Sequence, residues 1–236
     1  MTATNGKQLM KTTVVLLGAG RGIRMAGRCK SFIKIKGVTL LERAIACFTP
    51  YADEMIVGVC DKDLERAKRI VGNNNICIMA GGQSRLDTLK TLVEKAHYQS
   101  ILVHDIARPF IHKELIDKLF DASACHPAVA LCTPFRSSDA LVIAKQNKVG
   151  EMVHGSFLFR VQTPIISTRD KLRKAIGYAD PGNTQYSSIV GILFKSGCSV
   201  HLVEGSEDNI KITCREDLVK AERIGCRFPT GSRDTR

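Results

Sequence analysis

The sequence predicts an α/β fold built on a mostly parallel, twisted sheet with helices on both faces. Three observations predict it. The first apolar run, "TTVVLLG" (12–18), is β-branched and leucine-rich and ends on glycine, as a buried strand does. Short apolar runs then alternate with amphipathic stretches as far as residue 135, the β-α-β rhythm of a parallel sheet. No repeat and no linker divides the 236 residues, so they form one unit, with tails expected at 1–11 and 225–236.

The elements follow in order. "TLLERAIACF" (39–48) reads as a helix capped by Thr39, with Glu42 at the capping-box position. "EMIVGVC" (54–60) is a strand, and "DKDLERAKRIV" (61–71) a helix with Asp61 as its cap. "NICIMA" (75–80), helix 83–96 and "SILVHD" (100–105) continue the alternation, then helix 113–124 and strand 128–135. Residues 136–160 break it with short alternating segments and polar turns, which predict a projecting β-hairpin arm. Such an arm needs a partner to cover its apolar residues, so a homodimer is expected. Helical patterns return at 167–178 and 187–196, then a strand at 199–205 and a last helix at 215–224. Ligands of such sheets bind beyond the carboxyl ends of the strands, which points to the loops after 12–18, 75–80 and 100–105.

Composition narrows the function. Hydrophobic residues are 44% and charged residues 25%, enough for a core, and no apolar run is long enough to cross a membrane. The net charge of +12 suits an anionic partner. The densest basic cluster, from Arg21 to Lys36, holds only Phe32 as an aromatic, a weak footprint for nucleic acid. The nine cysteines show no CxxC and no zinc spacing with histidine; they read as buried, reduced thiols of a cytoplasmic protein.

"LLGAGRGIRM" (16–25) places Gly18, Gly20 and Gly22 directly after the first strand. Glycine lets backbone N–H groups turn toward a polyphosphate without a Cβ in the way. A Walker A loop would end in Gly-Lys-Ser/Thr, but Ile23-Arg24 stands there; a dinucleotide fingerprint would put glycine at Ile23. What remains is a glycine loop with two following cations, Arg24 and Lys30. Two fixed cations beside a triphosphate suit attack at the α-phosphorus, where they neutralise charge gained in the transition state. The alternative is a tight strand–helix turn with solvated basic residues.

Residues 12–224 resemble the 2-C-methyl-D-erythritol 4-phosphate cytidylyltransferases and their pentitol-phosphate relatives. Four segments carry the resemblance in the family order: "GAGRGIRM" with "CKSF", "GGQSRLDT" (81–88), "LVHDIARPF" (102–110) and "VEGSEDNIKIT" (203–213), with "QTPI" (162–165) as a partial fifth. The resemblance implies a glycosyltransferase-A-like fold, a homodimer interlocked by the arm, and Mg²⁺-dependent transfer of CMP from CTP to a sugar-alcohol phosphate. It places the triphosphate on Gly18, Ala19, Gly20, Arg21 and Gly22, and the cytosine at Gly82 and Thr88. Arg24, Lys30 and Lys211 become the catalytic cations, with Lys211 bridging the attacking phosphate and the α-phosphate. Asp105, Arg108 and Thr163 fall on the acceptor side, Arg108 within reach of a neighbouring subunit, and Asp105 is the metal-ligand candidate. Lys211 reads as an outward-facing strand residue and His104 as a packed strand histidine without a role.

The chain departs from the family on the acceptor side. Gly155 aligns with an arm arginine, Ala140 with a threonine, Ile165 with a glutamine, and Ser187-Ser188-Ile189 with a Thr-Asp-Asp/Glu stretch. Arg160 and Lys148 are the nearby cations that could substitute. Three outcomes stay open at this point: transfer to methylerythritol phosphate, transfer to another small phosphate or phosphonate, and a silent nucleotide-binding protein.

Overall fold

A computed structural model describes residues 10–20, 29–72, 75–179 and 188–226. A seven-stranded sheet forms its centre. In chain order its strands are β1 (Thr12–Leu17), β4 (Glu54–Val59), β5 (Ile76–Ala80), β6 (Ser100–Asp105), β7 (Ala128–Pro134), β10 (Phe159–Thr168) and β11 (His201–Glu204). They lie in the order β11-β7-β10-β6-β1-β4-β5. Strand β10 runs antiparallel to both neighbours, and every other pairing is parallel. The mostly parallel sheet is borne out.

Period-2 alternation along β1 divides the core. Val14 and Leu16 face one layer, formed by α1 (Leu40–Phe48), α2 (Leu64–Val71), α4 (Lys113–Ser123) and α7 (Arg215–Gly225). Val15 and Leu17 face the other, formed by α3 (Arg85–Lys95), α5 (Arg169–Gly177) and α6 (Ile189–Lys195). Leu16 is fully buried, and its truncation to Ala would cost about 2–5 kcal/mol in transfer and cavity terms.

The capping box at Thr39 and Glu42 is present: the Thr39 hydroxyl accepts from the Glu42 N–H, and the Glu42 carboxylate accepts from the Thr39 N–H. Asp61 does not cap a helix. It opens a 3-10 turn, Asp61–Asp63, and α2 begins at Leu64 behind Asp63, which makes no side-chain cap bond. A two-residue hairpin, β2 (Lys34–Ile35) with β3 (Val38–Thr39), had no signal long enough to read. The last helix runs through Gly225, which is buried, so the chain stays packed past 224.

Strand β10 is the main departure. Pro164 in "QTPI" argues against a central strand because proline gives the ladder no N–H. The ladder breaks there instead: its register shifts between Gln162 and Ile165, so the missing donor falls at a bulge. The predicted arm is β8 (Leu141–Lys145) paired with β9 (Lys148–Val153), and its return segment joins the main sheet from Phe159.

Of the predicted tails at 1–11 and 225–236, residues 1–9 and 227–236 lie outside the described residues, as does the start of the helical pattern at 187. All nine cysteines are unpaired; Cys132 and Cys198 are buried, whereas Cys77, Cys125 and Cys226 are exposed, so burial holds for only part of the set. No helix among the described residues is long and apolar enough to cross a membrane.

Candidate active site

The carboxyl ends of β1, β5 and β6 open onto a cavity of about 380 Å³. It is lined by Gly18, Ala19 and Gly20 after β1, by Ser84 and Arg85 after β5, and by Asp105 at the end of β6. These are the three loops expected from the strand pattern. Lys30, Thr88 and Lys211 complete the parts used below.

The first glycine works differently from expectation. Its N–H donates to the Gly58 carbonyl at 2.8 Å, so it is not offered to a ligand. A Cβ at Gly18 would stand 2.6 Å from Ser31 Oγ and 2.7 Å from Ile106 Cδ1. Gly18 is glycine so that the strand end can pack against Ser31, whose hydroxyl donates to the Gly18 carbonyl at 3.0 Å. A Cβ at Gly20 would meet no described atom within 4 Å, and this glycine lines the open cavity. Arg21, Gly22 and Arg24 lie outside the described residues.

Asp105 organises the floor. Its backbone N–H donates to the Thr163 hydroxyl at 3.1 Å. Its Oδ1 accepts from Arg85 Nε at 3.0 Å and from an Arg85 terminal nitrogen at 2.9 Å, and its Oδ2 from Lys211 Nζ at 2.8 Å. The Asp105 side chain is 8% exposed, against 32% for Arg85 and 36% for Lys211, so the acid lies below and the cations face the cavity. Burial pushes the carboxyl up, but Arg85 and then Lys211 outweigh it and hold Asp105 well below the usual carboxylate range. It is ionised at any working pH.

Arg85 is the residue the sequence reading missed, although it lies inside "GGQSRLDT". Its signal was the helix start: Ser84 caps α3, its hydroxyl accepting from the Asp87 N–H and the Asp87 carboxylate accepting from the Ser84 N–H. That cap fixes the first turn and aims Arg85 at Asp105. Thr88, one turn on, accepts from the Gly82 N–H at 3.0 Å and donates to the Ser84 carbonyl at 2.9 Å. Thr88 lines the cavity; Gly82 stands behind it, its N–H already used.

Lys211 does not lie in a strand. Residues 209–213 form an irregular segment, fixed by Ile212 N–H donating to the Ala107 carbonyl at 2.8 Å. Buried Asn209 anchors its start, donating to Gln162 Oε1 at 3.1 Å and to the Thr163 carbonyl at 2.9 Å. Lys30 Nζ donates to the Ile212 carbonyl at 2.9 Å, which brings the two lysine-bearing segments together.

A second basin, of about 600 Å³, opens on the far side of Lys211. Arg108, Arg160, Lys220 and Arg223 line it together with the acids Glu207, Asp208 and Asp217, and Lys211 lines both cavities, so cations outnumber acids there. Arg108 donates to the Asn209 carbonyl at 2.7 Å, and Arg160 pairs with Glu207 at 2.5 Å. Burial pushes the Arg108 guanidinium down from its ordinary value, opposed by Asp105.

The two cavities thus share one lysine. Residues 12–226 match the 2-C-methyl-D-erythritol 4-phosphate cytidylyltransferase family. The chain belongs to that family. The curated 2-C-methyl-D-erythritol 4-phosphate cytidylyltransferase of Deinococcus radiodurans is 31% identical over 218 residues, spanning 91% of this chain and 89% of its own. The one from Thermus thermophilus is 30% identical over 215 residues, spanning 91% and 97%. The solved structure of the Thermus thermophilus enzyme superposes with a TM-score of 0.73 at 28% identity, over 92% of this chain and 100% of that one. A 4-diphosphocytidyl-2C-methyl-D-erythritol synthase from Anaerococcus prevotii shares the fold, with a TM-score of 0.79 at 24% identity over 93% and 98%. The expected family, fold and nucleotidyltransferase class are borne out.

Within this family frame the acceptor-side residues divide. Arg108 lines the second basin and is bonded within its own chain. Thr163 is buried behind Asp105 and lines neither cavity. Of the substitute cations, Arg160 lines the basin, whereas Lys148 lies exposed in the arm. The positions where the family has acids are structural here: the Ser188 hydroxyl caps α6, accepting from the Gly191 N–H at 2.9 Å, and Ile189 is buried in the core. Gly155 opens a 3-10 turn at the end of the arm.

As a metal-ligand candidate, Asp105 is already paired with two cations in this arrangement. It is the only carboxylate among the described residues lining the first cavity, and both its oxygens already take cations. A divalent ion bound there would have to share those oxygens with Arg85 and Lys211 and take its other ligands from substrate phosphates and water.

Proposed function

We propose that the chain transfers CMP from CTP to 2-C-methyl-D-erythritol 4-phosphate, releasing pyrophosphate and forming the CDP-linked alcohol of isoprenoid-precursor synthesis. The observation that carries the reading is the position of Lys211, shared by the glycine-loop cavity and the basic basin. CTP occupies the first cavity, its triphosphate along Ala19 and Gly20 and its base toward Thr88. The acceptor phosphate occupies the second, near Arg108 and Arg160.

The reaction forms one bond and breaks one. An oxygen of the acceptor phosphate attacks the α-phosphorus, and the α–β bridging oxygen leaves with pyrophosphate. The nucleophile is already anionic, so no general base is needed, and catalysis is positioning plus charge neutralisation. Lys211 draws the attacking phosphate and the α-phosphate together. Lys30, held beside it through Ile212, neutralises the oxygens that gain charge. Asp105 touches neither anion; it orients Arg85 and Lys211.

We further read the arm as a dimer contact. Val142, Ile143, Val149 and Met152 are exposed on an isolated hairpin, and a two-stranded hairpin is marginal alone. The concentration dependence of mass in solution tests this: a dimer that Val149→Asp dissociates supports it, and a parent that stays monomeric sinks it.

A second reading keeps the chemistry and changes the acceptor. Gly155 and buried Ile189 favour it, because neither can bind a phosphate or a hydroxyl through its side chain. Pyrophosphate release from CTP, with a panel of polyol phosphates and phosphonates, separates the two. Release with methylerythritol phosphate supports the first reading. Release only with another acceptor moves the assignment to the second, and CTP binding without release from any acceptor refutes both.

A further inference from the structure

Cys29, Cys60 and Asp63 bring two sulfurs and a carboxylate oxygen within 4.8 Å of one another, and no other such group occurs among the described residues. The sequence gives no hint of it, because the ligands come from separated segments. Cys29 precedes the 3-10 turn Lys30–Phe32, and Cys60 follows β4. Asp63 lies one turn further on, its N–H donating to the Cys60 carbonyl at 2.9 Å. The pairing is thus made by the fold, where β1 and β4 end side by side.

A second observation points to a ligand. Asp63 Oδ2 is shielded from solvent and has no hydrogen-bond partner among the described residues. A shielded carboxylate oxygen without a partner costs free energy that a cation would offset. We propose that Cys29, Cys60 and Asp63 form a binding site for a thiophilic divalent cation of the zinc class, beneath the phosphate loop.

The donor set suits that class. Two thiolates and one carboxylate favour a borderline-soft ion over magnesium or calcium, which take oxygen ligands. Three protein ligands leave the fourth tetrahedral position to water, and all three residues are half-buried, so a hydrated ion can reach them. Binding displaces one proton from each thiol and changes no oxidation state. Cys60 Sγ lies 3.2 Å from the Ala19 carbonyl and Cys29 Sγ 3.8 Å from the Gly18 carbonyl. The ion would therefore tie the end of β4 to the segment leading into Lys30, directly under the glycine loop.

Cobalt(II) added to the reduced, metal-free full-length protein is the test, because tetrahedral thiolate sites give intense thiolate-to-cobalt charge transfer. The expected result is one saturable equivalent with the amplitude of two thiolates, displaced by one equivalent of zinc. Cys60→Ser should abolish the band. Asp63→Asn should weaken cobalt binding at least about tenfold, the low end of what even outer-shell partners are worth. The triple variant Cys77→Ser/Cys125→Ser/Cys226→Ser, which removes the exposed thiols, should keep the band. No band, a band that survives Cys60→Ser, or one lost in the triple variant would overturn the proposal. So would unchanged cobalt affinity in an Asp63→Asn protein that melts like the parent, which covers the case where Cys60→Ser fails to fold.

Discussion

His104 gives a prediction whose size can be worked out from the structure. It lies on β6 with no exposed surface, its ring 4.7 Å from that of Phe48. Nε2 is 3.0 Å from the Arg108 carbonyl, which can only accept, so Nε2 carries the ring proton. Nδ1 is buried without a partner among the described residues, and a second proton there would find no acceptor among them. Burial, against the hydrogen bond to the Arg108 carbonyl and the pull of Asp105, and with small help from the Arg108 and Lys211 charges, pushes the imidazole down from 6.5 to about 4. Between those values the unfolded chain binds more protons than the folded one. Stability is therefore fully present above about pH 6.5 and is lost as pH falls through about 4. The gap corresponds to at most about 3.4 kcal/mol, of which about 2 kcal/mol is lost by pH 5. His104→Phe removes this dependence, whatever it does to stability at pH 8. Guanidinium denaturation of parent and variant at pH 8, 6 and 5 measures it. The parent should lose about 2 kcal/mol more than the variant between pH 8 and pH 5. Parallel losses, within about 0.5 kcal/mol, would refute the assignment of a buried neutral His104.

Four further variants probe the site. Lys211→Ala should lower kcat by about 10²–10³, the effect of losing one donor aimed at developing charge, while CTP affinity measured by calorimetry changes little; equal losses of both would place Lys211 in ground-state binding. Arg85→Ala removes two charge-assisted bonds to Asp105 but leaves the Lys211 contact, so denaturation at pH 7 should show a loss of about 2 kcal/mol; no loss would mean that Lys211 alone neutralises the acid. Gly18→Ala should cost about 1–3 kcal/mol through overpacking against Ser31 and Ile106, whereas Gly20→Ala should stay within about 0.5 kcal/mol, and thermal melting that ranks them the other way would contradict the two glycine roles.

The elements most legible in the sequence were those whose signal is local. The Thr39–Glu42 cap and strand 100–105 depend on neighbours in the chain, and the structure agrees with both. Strand β10 was not legible, because Pro164 is excluded from a central ladder unless a bulge receives it, and bulges leave no period. Lys211 looked like a strand residue because "NIKIT" alternates; its backbone is held instead by Ala107 and by buried Asn209, contacts between distant parts of the chain. The site divides the same way. Lys30, Asp105 and Lys211 were readable as family motif positions, and the fold brings them together. Arg85 was not readable, since an arginine in the first turn of a helix is ordinary until its acid is known. Gly18 was assigned to phosphate for want of seeing Ser31 and Gly58 behind it.

Lys211 lines both cavities, and in the proposed reaction it joins bound CTP to the acceptor phosphate. Phosphorus NMR of the protein with CTP, Mg²⁺ and methylerythritol phosphate tests it most directly. The expected spectrum shows pyrophosphate together with a coupled pair of diphosphate resonances, from CMP joined to the acceptor phosphate. Pyrophosphate accompanied only by free CMP, or CTP left unchanged, would contradict it.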